Sequence, residues 1–163
     1  MKYSVFRVPP KVYCYTKKKK TYVVGPLSSV VLHLPSPALQ KESTVKFKSI
    51  FTCEQRVSFL QALAGVSFSY VLKLCLKGIG YRVEKHQEQL LFKLGYSHPV
   101  SIRIPDVIDV ECVKNNLFFR SAHLMVLKNF SASLRKLRFP DSYKGSGILY
   151  ENEILLLKEG KKA

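Results

Sequence analysis

Apolar and polar residues alternate along most of this chain, and two stretches break into helical spacing instead. Val30-Val31-Leu32-His33-Leu34 and Val100-Ser101-Ile102-Arg103-Ile104 are short apolar and β-branched runs closed by proline, and both predict strands. Leu72-Lys73-Leu74-Cys75-Leu76-Lys77 alternates with period two, which places its leucines on one face. Gly78-Ile79-Gly80 interrupts that run and predicts a bulge or bend before Tyr81-Arg82-Val83-Glu84 resumes the strand. His86-Gln87-Glu88 predicts a turn into Leu90-Leu91-Phe92-Lys93-Leu94. Residues 107–112 and 117–120 flank Lys114-Asn115-Asn116 like the arms of a hairpin. Leu124, Leu127, Phe130 or Ser131, Leu134 and Leu137 recur at three and four, one face of a helix. Val57, Leu60 and Leu63 or Ala64 suggest its counterpart in the first half.

The pattern repeats. With a shift of about seventy residues, Tyr22-Val23-Val24-Gly25 falls on Phe92-Lys93-Leu94-Gly95, and Val30, Leu32, Leu34 and Pro35 fall on Val100, Ile102, Ile104 and Pro105. Two residues further along the shift, Val45-Lys46-Phe47-Lys48-Ser49 falls on Leu117-Phe118-Phe119-Arg120-Ser121. The identical Gly and Pro positions predict a duplicated α+β unit. Each of two tandem similar domains would be an antiparallel sheet packed against one helix, a divergent repeat over 1–70 and a second over 71–163.

Composition then narrows the class. A hydrophobic share of 47% with 12% aromatics supports packed cores rather than a disordered basic tail. The formal net charge of +16 opposes compactness unless an anionic partner absorbs it, and a polyphosphate is the simplest one. An anionic membrane surface is the rival. The uncharged stretch 21–40 carries Gly25, Pro26, Pro35 and Pro37, and 57–72 is short and holds Gln61 and Gly65, so neither reads as a membrane span. The N-terminus has no apolar core of a signal peptide and no amphipathic presequence. Cys14, Cys53, Cys75 and Cys112 are isolated, and no histidine stands near one at ligand spacing. No metal and no cofactor are expected, and the thiols read as inert in a reducing compartment.

Enzymatic motifs fail on spacing. Gly78-Ile79-Gly80-Tyr81-Arg82-Val83 begins like a dinucleotide fingerprint, but Val83 stands at the third glycine and a strand follows where a helix is required. Acidic residues are sparse and scattered, giving no convergent catalytic pair. His98, in Gly95-Tyr96-Ser97-His98-Pro99, reads either as a turn residue bonding the backbone or packing under Tyr96, or with Ser97 as an RNA contact. Lys17-Lys18-Lys19-Lys20 reads equally as a solvated hairpin tip or a phosphate contact.

The richest segment follows the second helix. Arg135, Lys136 and Arg138 end that helix, where positive charge also suits its dipole. Pro140 stops it. Tyr143, Lys144, Gly145, Ser146 and Gly147 then offer a stacking ring, a cation and backbone with bare amides, and Lys158, Lys161 and Lys162 add a basic end. Cations from consecutive elements around an open loop make an RNA footprint.

Four ordered motifs carry a family resemblance. Gly78-Ile79-Gly80-Tyr81-Arg82 resembles a G-x-G-Y-R strand, Leu94-Gly95-Tyr96-Ser97-His98-Pro99-Val100 an L-G-Y-S-H-P-V turn, Pro140 to Ile148 a P-E-x-Y-K-G-K-G-I signature, and Lys158-Glu159-Gly160-Lys161-Lys162 a K-E-G-K-K ending. Together they resemble the uL6 family, ribosomal protein L6 of the large subunit. The likeness is faint in the first half, at Val23-Val24-Gly25-Pro26-Leu27. Ser146 replaces a usual Lys, Leu149 a frequent Arg, Ser121-Ala122-His123 a G-x-D-K helix entrance, and Leu27-Ser28 a Lys-Gly pair. Such drift resembles a divergent organellar member, mitochondrial first, with a plastid or the bacterial cytoplasm as alternatives. The resemblance implies a non-enzymatic constituent of the large subunit, not a homo-oligomer. Its partners would be large-subunit rRNA near the sarcin–ricin loop and the stalk base, and the ribosomal proteins adjoining that base. The implied RNA-binding residues are Tyr143, Lys144, Gly145 and Gly147, with Arg138 and the basic end. An RNA-processing or RNA-binding factor outside the ribosome is the alternative function.

Overall fold

A computed structural model describes residues 3–18, 20–41 and 43–160. The chain divides into two compact units, one of residues 1–70 with 121–124 and the other of 71–120 with 125–163. The architecture is α+β, with antiparallel sheet and one helix occurring twice.

The first unit holds β1 (Ser4–Arg7), β2 (Tyr13–Lys17), β3 (Lys20–Val24), β4 (Ser29–Leu32), β5 (Ala38–Lys41), β6 (Thr44–Phe47) and α1 (Cys53–Phe68). Its sheets run in the orders β2-β3-β4 and β1-β6-β5. Two side chains tie their edges together. Gln40 accepts from the Cys14 amide at 2.6 Å and donates to the Val12 carbonyl at 3.2 Å, while Thr16 accepts from the Ala38 amide at 2.9 Å. Thr16 also lies 3.3 Å from the fully buried hydroxyl of Thr21, so that polar group has a partner inside the core. Around them Phe6, Phe47, Phe51 and Phe59 form one aromatic cluster, with ring centroids between 4.6 and 6.0 Å apart.

Helix α1 starts on a capping box. Thr52 Oγ1 accepts from the Gln55 amide at 3.4 Å, and Gln55 Oε1 accepts from the Thr52 amide at 3.1 Å. Its buried face is Phe59, Ala62, Leu63, Gly65 and Val66, which selects Leu63 over Ala64 as expected and corrects the expectation of Val57 and Leu60. Val57 and Leu60 are 45% and 51% exposed. The helix is apolar on several sides, so a three-four spacing can be traced along more than one stripe. Packing is what selects Val66: a Cβ on Gly25 would lie 2.2 Å from Val66 Cγ1, so only glycine admits the helix there.

The second unit holds β7 (Tyr70–Lys77), β8 (Arg82–His86), β9 (Gln89–Lys93), β10 (Val100–Arg103), β11 (Asp109–Val113), β12 (Asn116–Ser121), α2 (Leu124–Leu137) and β13 (Gly147–Tyr150). The sheets are β10-β9-β8 and β11-β12-β7-β13. The correspondence is strand for strand: β8-β9-β10 repeats the meander β2-β3-β4, and β11-β12-β7 repeats β5-β6-β1. Among the described residues only β13 lacks a counterpart. Of the expected bulge or bend, Gly78-Ile79-Gly80 is a bend, but the strand does not resume in the same sheet. These residues are the connection that carries the chain from β7 in one sheet to β8 in the other. The hairpin of β11 and β12 turns on Lys114-Asn115, with Lys114 at φ 53 and Val113 opposite Asn116. In α2 the buried residues are Leu127, Phe130, Ser131 and Leu134, the face predicted by the spacing.

Candidate nucleic-acid interface

Helix α2 ends at Leu137, three residues before Pro140, and the loop 138–146 leads into β13. The last helical turn carries Arg135 and Lys136, cations at the negative end of the helix dipole. One orphan carbonyl there is capped from outside the helix: the Tyr96 hydroxyl donates to Leu137 O at 2.7 Å. Tyr96 also lies under the Arg138 guanidinium, 5.4 Å from ring centroid to Cζ. The Tyr96 side chain, and after it Tyr81, raises the pKa of Arg138 above its ordinary value.

The loop closes on Asp141. Its Oδ1 accepts from the Tyr143 amide at 3.2 Å and its Oδ2 from the Lys144 amide at 3.1 Å, while its carbonyl accepts from the Gly145 amide at 2.9 Å. The Asp141 amide in turn donates to Ser146 O at 2.9 Å. The expectation of bare amides is therefore corrected at Tyr143, Lys144 and Gly145, whose N–H groups are already bonded to Asp141. What the loop presents outward is side chains, with Tyr143 59% exposed and Lys144 exposed.

Two glycines make this closure possible. Gly145 sits at φ 68, which favours glycine. A Cβ on Gly147 would stand 2.6 Å from Pro140 Cα and 2.8 Å from Phe139 O, both backbone. Beyond them Ile148 donates to Arg138 O at 3.0 Å and β13 pairs with β7, Gly147 opposite Lys77. The Lys158 amide donates to Ser142 O at 2.9 Å, so the C-terminal extension braces the loop from its other side.

These bonds hold the Asp141 carboxyl below the usual carboxylate range, the Tyr143 amide contributing most and the Lys144 amide next. A depressed folded pKa stabilises the loop above the unfolded value, and that contribution is lost as pH falls through the folded one. In an NMR titration the Asp141 carboxyl is expected to show its midpoint below 3.8, the ordinary value, with the Tyr143 and Lys144 amides protected above it. A midpoint at or above that value would refute the loop geometry.

An open depression of about 560 Å³ lies between Tyr96, Lys136, Leu137, Arg138, Phe139, Asp141, Lys144 and Ser146. It gathers three of the sequence-predicted residues, Arg138, Lys144 and Ser146. Tyr143, Gly145, Gly147 and Lys158 shape the same loop without lining it. Ser97 and His98 follow Tyr96 on an exposed turn, with Ser97 Oγ 3.4 Å from His98 Nδ1, and stand apart from the depression. Arg135 does not join the cluster. Its guanidinium is bonded to Glu153 and lies over the Tyr150 ring at 5.3 Å, so its charge is already paired. Lys161 and Lys162 lie outside the described residues, as does Lys19; Lys17, Lys18 and Lys20 do form the tip of the β2–β3 hairpin.

Lys136, counted in the sequence among the cations of the footprint, lines the site, whereas Phe139 and Tyr96 belong to it and sequence reasoning did not assign them. For Phe139 the signal was proximity to Arg138. Tyr96 carries no such signal, because only the fold brings its turn to the end of α2. Chemically the depression offers three cations, Lys136, Arg138 and Lys144, with hydroxyls and aromatic edges beside the Asp141 carboxylate, which suits phosphate and sugar rather than a reacting carbonyl. Among the described residues no cluster of three or more His, Cys, Asp or Glu is arranged to hold a metal, and no helix is long and apolar enough to cross a membrane. Burial pushes the Cys14 thiol up to about 11, which leaves it unreactive.

Comparison with known proteins gives a consistent result. A profile of the family described as Ribosomal protein L6 matches residues 77–151. The large ribosomal subunit protein uL6 of Mycoplasma pneumoniae is 32% identical over 168 residues, covering 95% of this chain and 91% of that protein. The uL6c protein of Arabidopsis thaliana is 34% identical over 166 residues, covering 94% of this chain and 74% of its own length. The uL6c protein of Phaeodactylum tricornutum is 44% identical over 100 residues, covering 61% of this chain. In that last alignment the chain spans 56% of the relative's length.

Proposed function

Because this chain belongs to the ribosomal protein L6 family, we propose that it is a structural constituent of the large ribosomal subunit that binds large-subunit rRNA near the sarcin–ricin loop and the stalk base. The family is a non-enzymatic one, and the role is positioning and charge neutralisation. The observation that carries the reading is the Asp141-closed loop, which holds Arg138 and Lys144 beside one depression. Cations gathered on a loop whose backbone is fixed engage phosphates together. Tyr143 would stack or bond to sugar at the rim, and Lys158, with Lys161 and Lys162, would extend the contact along the backbone.

The partners are rRNA and adjoining ribosomal proteins, with this chain present as a single copy. The organellar drift at Ser146 and Leu149 favours a mitochondrial ribosome, with a plastid or bacterial one as alternatives. The relatives from Mycoplasma, Arabidopsis and Phaeodactylum do not favour the mitochondrial assignment over those two.

The test is sedimentation of the tagged full chain from cell extract. It is expected to peak with large subunits at moderate salt and to leave them as salt rises, with cross-links to rRNA at the sarcin–ricin region. A peak among lighter ribonucleoproteins, away from the subunit, would point to an RNA factor outside the ribosome and overturn the proposal.

A further inference from the structure

The first unit carries a second surface that the loop after α2 does not explain. Strand alternation sends Cys14, Thr21, Val23 and Val30 inward, where all are buried, and sends Tyr13, Tyr15, Tyr22 and Val31 outward. The register puts Tyr15, Tyr22 and Val31 in one row across the three strands. The Tyr15 and Tyr22 rings stack at 5.2 Å with only 9° between their planes. Tyr13, two positions back along β2 and so about 7 Å away, is 66% exposed.

Cations stand at both ends of this row of rings. Lys17 and Lys20 face each other where the hairpin closes, with Lys18 in the turn at φ 49. At the other end Arg7, Lys11 and Tyr13 share an open depression of about 670 Å³. Residues 13–17, 20–24 and 29–32 contain no carboxylate, so nothing on these strands opposes a polyanion.

We propose that the outer face of β2-β3-β4 is a stacking platform for the unpaired bases of a single-stranded RNA segment, with Tyr13, Tyr15 and Tyr22 taking bases and the flanking cations taking phosphates. Aromatic rings on a sheet accept splayed bases, whereas a duplex hides its base faces within its own stack. A cross-strand aromatic pair also stabilises a hairpin. That accounts for Tyr15 against Tyr22, but not for Tyr13 or for cations at both ends. Tyrosine also serves at protein interfaces, so what favours a polyanion over a protein here is the cations on both sides with no carboxylate on these strands. The inference rests on the chain being an RNA binder and is independent of the loop that follows α2.

The experiment uses RNA-free full chain and a fluorescein-labelled oligouridylate of about twelve nucleotides at low salt, read by anisotropy. Tyr13→Leu/Tyr15→Leu is expected to bind at least about tenfold more weakly, about 1.4 kcal/mol, and Tyr13→Phe/Tyr15→Phe to recover most of that loss. The same tyrosine-dependent difference is expected in an Arg138→Glu/Lys144→Glu background, which separates this surface from the C-terminal one. The chain has nine Tyr and no Trp, so the part of the tyrosine quenching on titration that Tyr13→Leu/Tyr15→Leu removes in the Arg138→Glu/Lys144→Glu background reports stacking at this face. Equal affinity of the Leu variant, a Phe variant as weak as the Leu variant, absence of that quenching, or photo-cross-links from these tyrosines to protein instead of RNA would each overturn the proposal.

Discussion

Arg138→Glu/Lys144→Glu is expected to weaken binding to a large-subunit rRNA transcript by roughly 100-fold or more at low salt. Both side chains are exposed and both line the same depression, so the two reversals place four units of charge change at one spot of the proposed RNA contact. Each lost phosphate contact also removes released counterions. The slope of log K against log salt is expected to shrink by about 1 per contact, so by about 2 for the pair. Anisotropy across a salt series measures both quantities. The fold should survive, because Arg138 O rather than its side chain accepts from Ile148, and Lys144 is held through its amide. A variant that keeps the native affinity and the native salt slope would remove this loop from the RNA contact.

Gly147→Ala is expected to destabilise the second unit by on the order of 4 kcal/mol. The new methyl would lie 2.6 Å from Pro140 Cα and 2.8 Å from Phe139 O, and backbone cannot swing aside as a side chain can. Relief requires moving the loop or unpairing β13, and Ile148 and Leu149 next door are fully buried or nearly so. Hydrogen exchange at the Ile148 and Leu149 amides reads the change within the unit that bears it, which suits a chain with two cores. Gly80→Ala is the control. Gly80 also has a positive φ, 75, but a Cβ there meets nothing within 4 Å, so only a conformational cost of about 1 kcal/mol remains. Equal exchange in the two variants would show that the close approach at Gly147 does not matter.

The duplication was legible because its glycine and proline markers are hard to replace, Gly25 for close approach of Val66 and Gly95 for its positive φ. Gly25 and Gly95, with Pro35 and Pro105, sit at equivalent turns of the two meanders, and such positions tolerate few alternatives. The face of α2 was legible because polar residues flank Leu127, Phe130 and Leu134. That of α1 was not, since Val57 and Leu60 share the spacing of Phe59, Leu63 and Val66, and sheet contact decides between them. The passage of 78–80 from one sheet to another was hidden for a related reason: alternation records which way side chains point and carries no record of which strand lies alongside.

The site divides similarly. Pro140, Lys144 and the two glycines could be read as a loop with a cation. That Asp141 would take up the amides of Tyr143, Lys144 and Gly145 could not, because a short acidic side chain beside a turn has several nearby donors. Tyr96 and Arg135 depend on long-range folding. One reaches the end of α2 from a turn 41 residues earlier, the other closes on Glu153 from 18 residues before it.

Strand β13 has a consequence for synthesis and quality control. It covers the outer edge of β7, which otherwise would present unpaired amides and carbonyls. A nascent chain halted before Gly147 thus displays a sticky margin and an unanchored hook at once. Closing the hook, through the Ile148 amide on Arg138 O, and masking that margin therefore become a single event, so a prematurely terminated copy keeps an aggregation-prone edge.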